Sequence, residues 1–438
     1  MKLERAKGTR DFLQSEKLIR NKITEIIKEG FRLYGFPEIE TPLLERYDLL
    51  ASKYAGGSEI LKETFRLTDQ GNRELGLRYD LTVPLARVIG MNPQLKMPFK
   101  RYQIDKVFRD GPIGSGRVRE FYQCDADIIG TDSILAEVEL LNLANYVYKE
   151  LGFKFFIKVN DRKILNGIIK YSGIKEEYAE TVILTIDKLM KIGLEGVKKE
   201  LEEKNVNTFS IKKIFEIISI KGDNKEKLSK LKNILPEESK DVEQLFEYCK
   251  KNIEFDFSLA RGFSYYTGLI FEIVLKNNEL ICSVGGGGRY NNMIGLFLEN
   301  KKNYPAVGIS FGLDRIYDAL TINKKLEQTT LTKVFIISIK EEEKAIRLAE
   351  ELRKNKINTE IEIKNRSISA SLDYASKIGV PYVIFLGKEE IKKKKIKLRD
   401  MKTGKERLLS LNSLVSLMKK QVSQDILYGP QKIKDHTL

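Results

Sequence analysis

One histidine, His436, stands in 438 residues, and it lies in the C-terminal tail. That scarcity excludes a histidine base, a catalytic triad or a histidine-ligated metal. The three cysteines, Cys124, Cys249 and Cys282, are far apart and show no paired spacing. A disulfide framework or a zinc site therefore has no basis, and the three read as buried thiols. No apolar run approaches the roughly 20 residues that cross a bilayer, and Met1 to Arg20 is too charged for a secretory signal. The expectation is a cytoplasmic protein without a membrane partner, whose chemistry must use arginine, carboxylates and magnesium.

What the chain has in excess is positive charge: 77 Lys and Arg against 62 Asp and Glu, net +15, with a pI near 9.3. The imbalance favours a polyanionic partner such as nucleic acid. It is a diffuse signal, because lysines such as Lys392 to Lys395 are spread through many amphipathic segments. Length predicts about three domains.

The stretch Lys100 to Thr131 organises the rest. It predicts two strands, Tyr102 to Arg109 and Arg119 to Ile129, joined by a Gly/Pro/Ser loop as a long antiparallel hairpin. Period-two alternation puts Arg119, Phe121, Gln123, Asp125 and Asp127 on one face and Glu120, Tyr122, Cys124, Ala126 and Ile128 on the other. Carboxylates are costly in a core, so one face is chemical and the other is core. Arg109, Arg117 and Arg119 with Phe121 suit a nucleotide, charge on phosphate and ring on base. The deeper acids could hold a cation; a solvated hairpin with surface ion pairs explains the same residues without a ligand.

Upstream, Gln14 to Leu33 carries a helical apolar stripe, and Glu38 to Leu44 reads as a strand suited by its proline to an edge or interface. Thr64 to Thr68 and Glu74 to Tyr79 form a second hairpin turning at Asp69 to Asn72. Thr82 to Ile89 is a helix, at whose start Asp80 and Thr82 can act as N-caps. Downstream come a helix from Leu135 to Leu151, a strand from Phe153 to Val159, and a Lys/Glu-rich helical module from Asn160 to about Lys250. Leu269 to Leu275 is a strand. The four glycines before Arg289 and Tyr290 suggest a backbone that lies close to a ligand. Pro305 to Arg315 gives another strand, then a helix with Arg315 in its first turn. After a polar linker, Asn323 to Thr332, strands and helices alternate as a small α/β domain. It ends in a hairpin (Ile396 to Leu409) and a helix (Ser410 to Lys420).

These blocks, in this order, resemble the histidyl-tRNA synthetases within the class II aminoacyl-tRNA synthetases. The resemblance is carried by KGTRDF at Lys7 to Phe12, EIETPLLE at Glu38 to Glu45 (motif 1) and FRDGPIGSGRVREFYQCDADIIG at Phe108 to Gly130 (motif 2). LARGFSYYTG at Leu259 to Gly268, GGGGRYNNMIG at Gly285 to Gly295 and PAVGISFGLDR at Pro305 to Arg315 (motif 3) complete it. The implied fold is α+β: an antiparallel-sheet catalytic domain (1–160 and 251–325) with a helical insertion (161–250), a C-terminal α/β anticodon-binding domain (331–422) and a tail (423–438).

The resemblance also implies an enzyme that takes ATP, with Mg2+, L-histidine and tRNA(His), and a homodimer built through motif 1. Arg109 and Arg261 would act on the α-phosphate, Arg117 would join them on ATP, Phe121 would stack under adenine, and Arg315 would reach the γ-phosphate. Asp80 and Gln123 would hold the α-ammonium group of histidine, with Thr82, Tyr265 and Tyr290 alongside, and Asp127 with Tyr266 would bond the imidazole. Asp80 and Asp127 stand where many members carry glutamate, and Ser264 where they carry aspartate or asparagine. The loop Gly111 to Gly116 lacks a commonly present arginine or glutamine. A histidine-sensing regulatory subunit of ATP phosphoribosyltransferase is the rival, but such relatives lose the motif arginines and the C-terminal domain.

Overall fold

Helix α1 spans Gln14–Leu33, the limits its apolar stripe predicts. The computed structural model describes residues 2–51, 62–114, 117–261, 265–276, 283–298, 303–322 and 330–427, without the side chains of 297 and 421–427. Ser264, Cys282, His436 and most of the predicted linker lie outside the described residues. Backbone contacts group the chain into two units, Met1–Arg10 with Ile23–Ile322, and Asp11–Lys22 with Asn323–Leu438.

The first unit is built on a sheet of seven strands in the order β4-β5-β10-β9-β8-β6-β7. These are β4 (Phe99–Phe108), β5 (Glu120–Ile129), β6 (Phe155–Asp161), β7 (Ile253–Phe255), β8 (Leu269–Leu275), β9 (Gly285–Arg289) and β10 (Ala306–Gly312). All neighbours are antiparallel except β6 and β7. One face is core. There Phe31 of α1 stacks on Tyr102 at 4.7 Å and meets the edge of Phe311 at 5.8 Å, and Tyr148 of α4 (Leu135–Glu150) lies 5.7 Å from Phe311. Cys124 and Ala126 are fully buried on this face, and neither Cys124 nor Cys249, both buried, is in a disulfide.

The opposite face is buried too, yet polar. Asp125 and Asp127 are 5% and 3% exposed, so the sequence division into a chemical and a core face describes two covered faces of different chemistry.

The predicted strand over Glu38 to Leu44 is corrected. Only Leu44–Arg46 is a strand, β1, in a three-stranded sheet β1-β3-β2 with β2 (Arg66–Thr68) and β3 (Glu74–Leu77). Before it the chain runs beside β4 through a single bridge, Glu38 to Tyr102. Pro37 and Pro42 have no N–H to extend a ladder. Helix α3 (Thr82–Met91) follows.

The module between β6 and β7 holds six α-helices among its described residues, α5 (Arg162–Tyr171) to α10 (Lys240–Tyr248). In the second unit β11 (Val334–Ser338), β12 (Thr359–Ile361) and β13 (Tyr382–Leu386) are parallel, and β14 (Ile396–Asp400) and β15 (Glu406–Leu409) add antiparallel strands in the order β12-β11-β13-β14-β15. Helices of the unit cover both faces of this sheet, as the two separate apolar clusters around Ile336 and Phe335 require.

Candidate active site

Register alone brings the polar residues of the first sheet into rows. Arg101 of β4 pairs with Asp127 of β5, which pairs with Gly308 of β10, which pairs with Gly288 of β9. The next row on the same face is Asp125, Ser310, Gly286 and Glu272, and beyond it Gln123 stands beside Gly312. Side chains two apart share a face, so Gln123, Asp125 and Asp127 line one floor.

Asp127 is the best-anchored of them. Arg101 Nη2 lies 2.6 Å from Asp127 Oδ2 with both side chains buried, and the Tyr290 hydroxyl donates to Asp127 Oδ1. The cation expected beside the deeper acids is therefore supplied by the protein itself. Arg101 also donates to Leu81 O at 3.2 Å. Burial pushes the Asp125 carboxyl up to about 7, against the pull of Arg101, and raises Asp127 as well. Arg101 lies just outside the strand that the sequence predicts and is the floor residue that sequence reasoning missed, while Asp125 enters there only as one of the deeper acids; the register of Arg101 opposite Asp127 comes from strand pairing.

Asp80 closes the floor at the start of α3. Its Oδ1 accepts from the N–H groups of Thr82 (3.1 Å) and Val83 (3.0 Å), which makes it the cap that the sequence allowed. Burial still raises its pKa to about 6, moderated by those bonds and by the charge of Arg109. Arg109 donates to Tyr79 O at 3.1 Å, and its guanidinium lies 5.2 Å from the centre of Phe121. Tyr265 packs on Tyr266 (4.7 Å) and Tyr290 (6.1 Å), and Arg261 lies 5.5 Å from the Tyr266 ring. Asp80, Arg109, Phe121, Gln123, Asp127, Arg261, Tyr265, Tyr266 and Tyr290 thus form one neighbourhood, with Thr82 adjoining through its backbone.

Arg315 rises from the first turn of α12 (Leu313–Thr321) and donates to Ser283 O at 2.7 Å. Arg117 is not drawn in. It is exposed, with its backbone paired to Gly114, and among the described residues its side chain makes no contact with this group.

The glycine run makes room for side chains on both faces of its strand. A Cβ at Gly286 would stand 2.0 Å from Arg261 Nη1, at Gly288 2.8 Å from the Tyr266 ring, and at Gly308 2.1 Å from Asp127 Oδ1. On the core face, Gly285 leaves room for the Tyr148 hydroxyl. The glycines let these side chains lie directly against the backbone. Arg289, which follows them, is structural: it is paired with Glu137 and bonded to Thr131 O at 2.9 Å.

The floor has spare bonding capacity. Gln123 Oε1, Asp125 Oδ1 and Arg101 Nε and Nη1 are buried without a hydrogen-bond partner among the described residues. Such atoms are costly unless a ligand satisfies them.

The family profile described as histidyl-tRNA synthetase matches residues 8–316, and one described as anticodon binding domain matches 333–421. Histidine–tRNA ligase 1 of Bacillus cereus is 42% identical over 94% of this chain and 99% of its own. The chain belongs to the histidyl-tRNA synthetase family. A solved histidyl-tRNA synthetase from Nostoc superposes with a TM-score of 0.85 at 28% identity, over 96% of this chain and all of the other. A Bacillus halodurans structure described as an ATP phosphoribosyltransferase regulatory subunit/histidyl-tRNA synthetase superposes with a TM-score of 0.74 at 22% identity, over 87% and 97%. At that identity the likeness concerns the fold alone. Membership of this synthetase family gives the chain the class of an aminoacyl-tRNA ligase.

Proposed function

We propose that the chain activates L-histidine with ATP, releasing pyrophosphate, and then transfers histidine from the adenylate to the 3′ end of tRNA(His). The observation that carries the reading is the polar floor with unsatisfied buried atoms, lying beside two arginines whose guanidinium groups are anchored by backbone carbonyls. A carboxylate oxygen of histidine attacks the α-phosphorus and the bond to the pyrophosphate oxygen breaks. The step needs alignment and charge neutralisation more than proton transfer, which suits a chain without a histidine in the site. Arg109 and Arg261 neutralise the charge that builds on the α-phosphate. Phe121 stacks under adenine, Arg315 holds the γ-phosphate, and Arg117 reaches the nucleotide from the loop. Magnesium enters on the triphosphate as part of the substrate.

Asp80 and Gln123 take the α-ammonium group, with Thr82 and Tyr265 shaping that end. Asp127, oriented by Arg101 and Tyr290, accepts from one imidazole nitrogen while Tyr266 serves the other. An apolar amino acid would leave these buried groups unpaired and be rejected strongly. The C-terminal domain reads the anticodon, and two copies pair through motif 1 in the cytoplasm. The regulatory-subunit reading is disfavoured by the presence of Arg109, Arg261 and Arg315 and by the matched anticodon domain. Histidine-dependent ATP–pyrophosphate exchange tests the proposal: exchange with histidine alone is expected, and histidine binding without exchange would overturn it.

A further inference from the structure

Arg261 has a φ of +55°, a left-handed backbone state that non-glycine residues seldom adopt. Such a state persists where its surroundings impose it. The restraint comes from a distant part of the chain: Asp187 Oδ1 accepts from the Arg261 N–H at 2.9 Å, across 74 residues.

Asp187 follows α6 (Ala179–Ile186), whose Val182, Ile183 and Ile186 are buried in the helical module. The residues around it are tied down. Lys188 Nζ lies 2.7 Å from Glu200 Oε1, Lys204 Nζ contacts the same oxygen at 2.7 Å, and Lys204 also donates to Thr185 Oγ1 at 2.7 Å. Glu200 and Lys204 belong to or adjoin α7 (Leu189–Glu203). At its other end Arg261 is held by Phe271 O, which accepts from Nη1 at 2.8 Å, in the space that Gly286 leaves open. The arginine is gripped at its backbone by the helical module and at its guanidinium by the sheet.

We propose that Asp187 is a positioning residue for adenylate formation, through which the helical module sets the orientation of Arg261. The inference rests on the phosphate role given above to Arg261. Because the grip is a hydrogen bond to a backbone N–H, an acceptor oxygen at this point is what holds the backbone, and the carboxylate charge adds only the last-ranked of the attractions on the guanidinium.

The test uses full-length Asp187→Ala, Asp187→Asn and Arg261→Ala, with active sites counted by the burst of adenylate and turnover followed by ATP–pyrophosphate exchange. Asp187→Ala is expected to lower exchange per active site about ten-fold, the usual order for one lost buried hydrogen bond, with KM for histidine changed by less than about two-fold. Asp187→Asn, which keeps an oxygen, should retain most of the rate. Should Asp187→Ala not fold, Asp187→Glu, with the carboxylate displaced by one methylene, carries the same test and should show an intermediate loss. An unchanged rate per site, or a loss appearing only as fewer active sites, would overturn the proposal, because a merely structural residue behaves that way. Normal exchange in Arg261→Ala would instead remove the arginine's phosphate role, a failure visible in that variant alone, and would take this inference with it.

Discussion

At the scale of residues, the site is a problem in buried charge. Two carboxylates, Asp125 and Asp127, share one fully buried guanidinium, Arg101. Removing that cation while keeping its bulk, as in Arg101→Met, strands acids in a medium that cannot solvate them. A loss of about 3–5 kcal/mol is expected, read from urea unfolding at pH 8. Part of it should return as the pH falls toward 6 and the carboxyls protonate.

Asp80 carries a second prediction. Its pKa of about 6 means that it becomes protonated, and ceases to attract an ammonium group, within an accessible range. Below about pH 6 histidine affinity should fall by about one further power of ten per pH unit in the wild type than in Asp80→Asn. Calorimetric titration of both proteins between pH 5 and 8 would reveal the difference, since the titration of free histidine cancels between them. Parallel curves would remove Asp80 from the ammonium site.

At the scale of elements, β9 is a strand without side chains until Arg289, and that is its contribution. Strand glycine lowers local stability, here offset by ladders to both neighbours, β8 and β10. In Gly286→Ala the new methyl would overlap Arg261 Nη1 and stand 2.7 Å from Phe271 O. The guanidinium can move, whereas the carbonyl is fixed by the ladder. Exchange is expected to drop on the order of a hundred-fold, as for loss of a transition-state donor, with histidine binding largely retained. If calorimetry shows histidine binding lost equally, the glycine serves the amino-acid floor instead. The hairpin of β4 and β5 imposes the complementary condition: its ten paired residues fix the register, and a slip of one residue would send every acid of the floor to the core face.

At the scale of the whole molecule, buried acids give the stability a pH dependence. Asp80, Asp125 and Asp161 have folded-state pKa values of about 6, 7 and 7 against 3.8 for the ordinary side chain, desolvation being the main cause in each. Between pH 4 and 7 the folded protein therefore holds more protons than the unfolded chain. These groups stabilise the fold fully below pH 4, and their contribution is lost as the pH rises toward 7, at about 1.4 kcal/mol per pH unit for each titrating group. Asp161→Asn keeps an acceptor for the Lys163 N–H that caps α5 and should flatten this slope, measured as unfolding free energy against pH. An unchanged slope would mean that Asp161 is ionised throughout.

The sequence by itself determined the elements whose cause is local: the stripe of α1, the hairpin of β4 and β5, and the alternation of strands and helices after Thr332. Periodicity and turn chemistry act within a few residues, so they are legible in the chain. It also carried the family, because the motif blocks occur in order, with departures only at single positions such as Asp80 and Asp127. Alternation also separated the polar from the apolar face of β5, but only the tertiary structure decided what each polar residue meets. It placed Arg101 against Asp127, left Arg117 exposed, turned the glycine run into seats for Arg261 and Tyr266, and put Asp187 under the arginine from a separate helical module. These contacts join residues tens of positions apart through sheet register and helix packing. Their energies arise from desolvation and close approach, which exist only once the chain has folded.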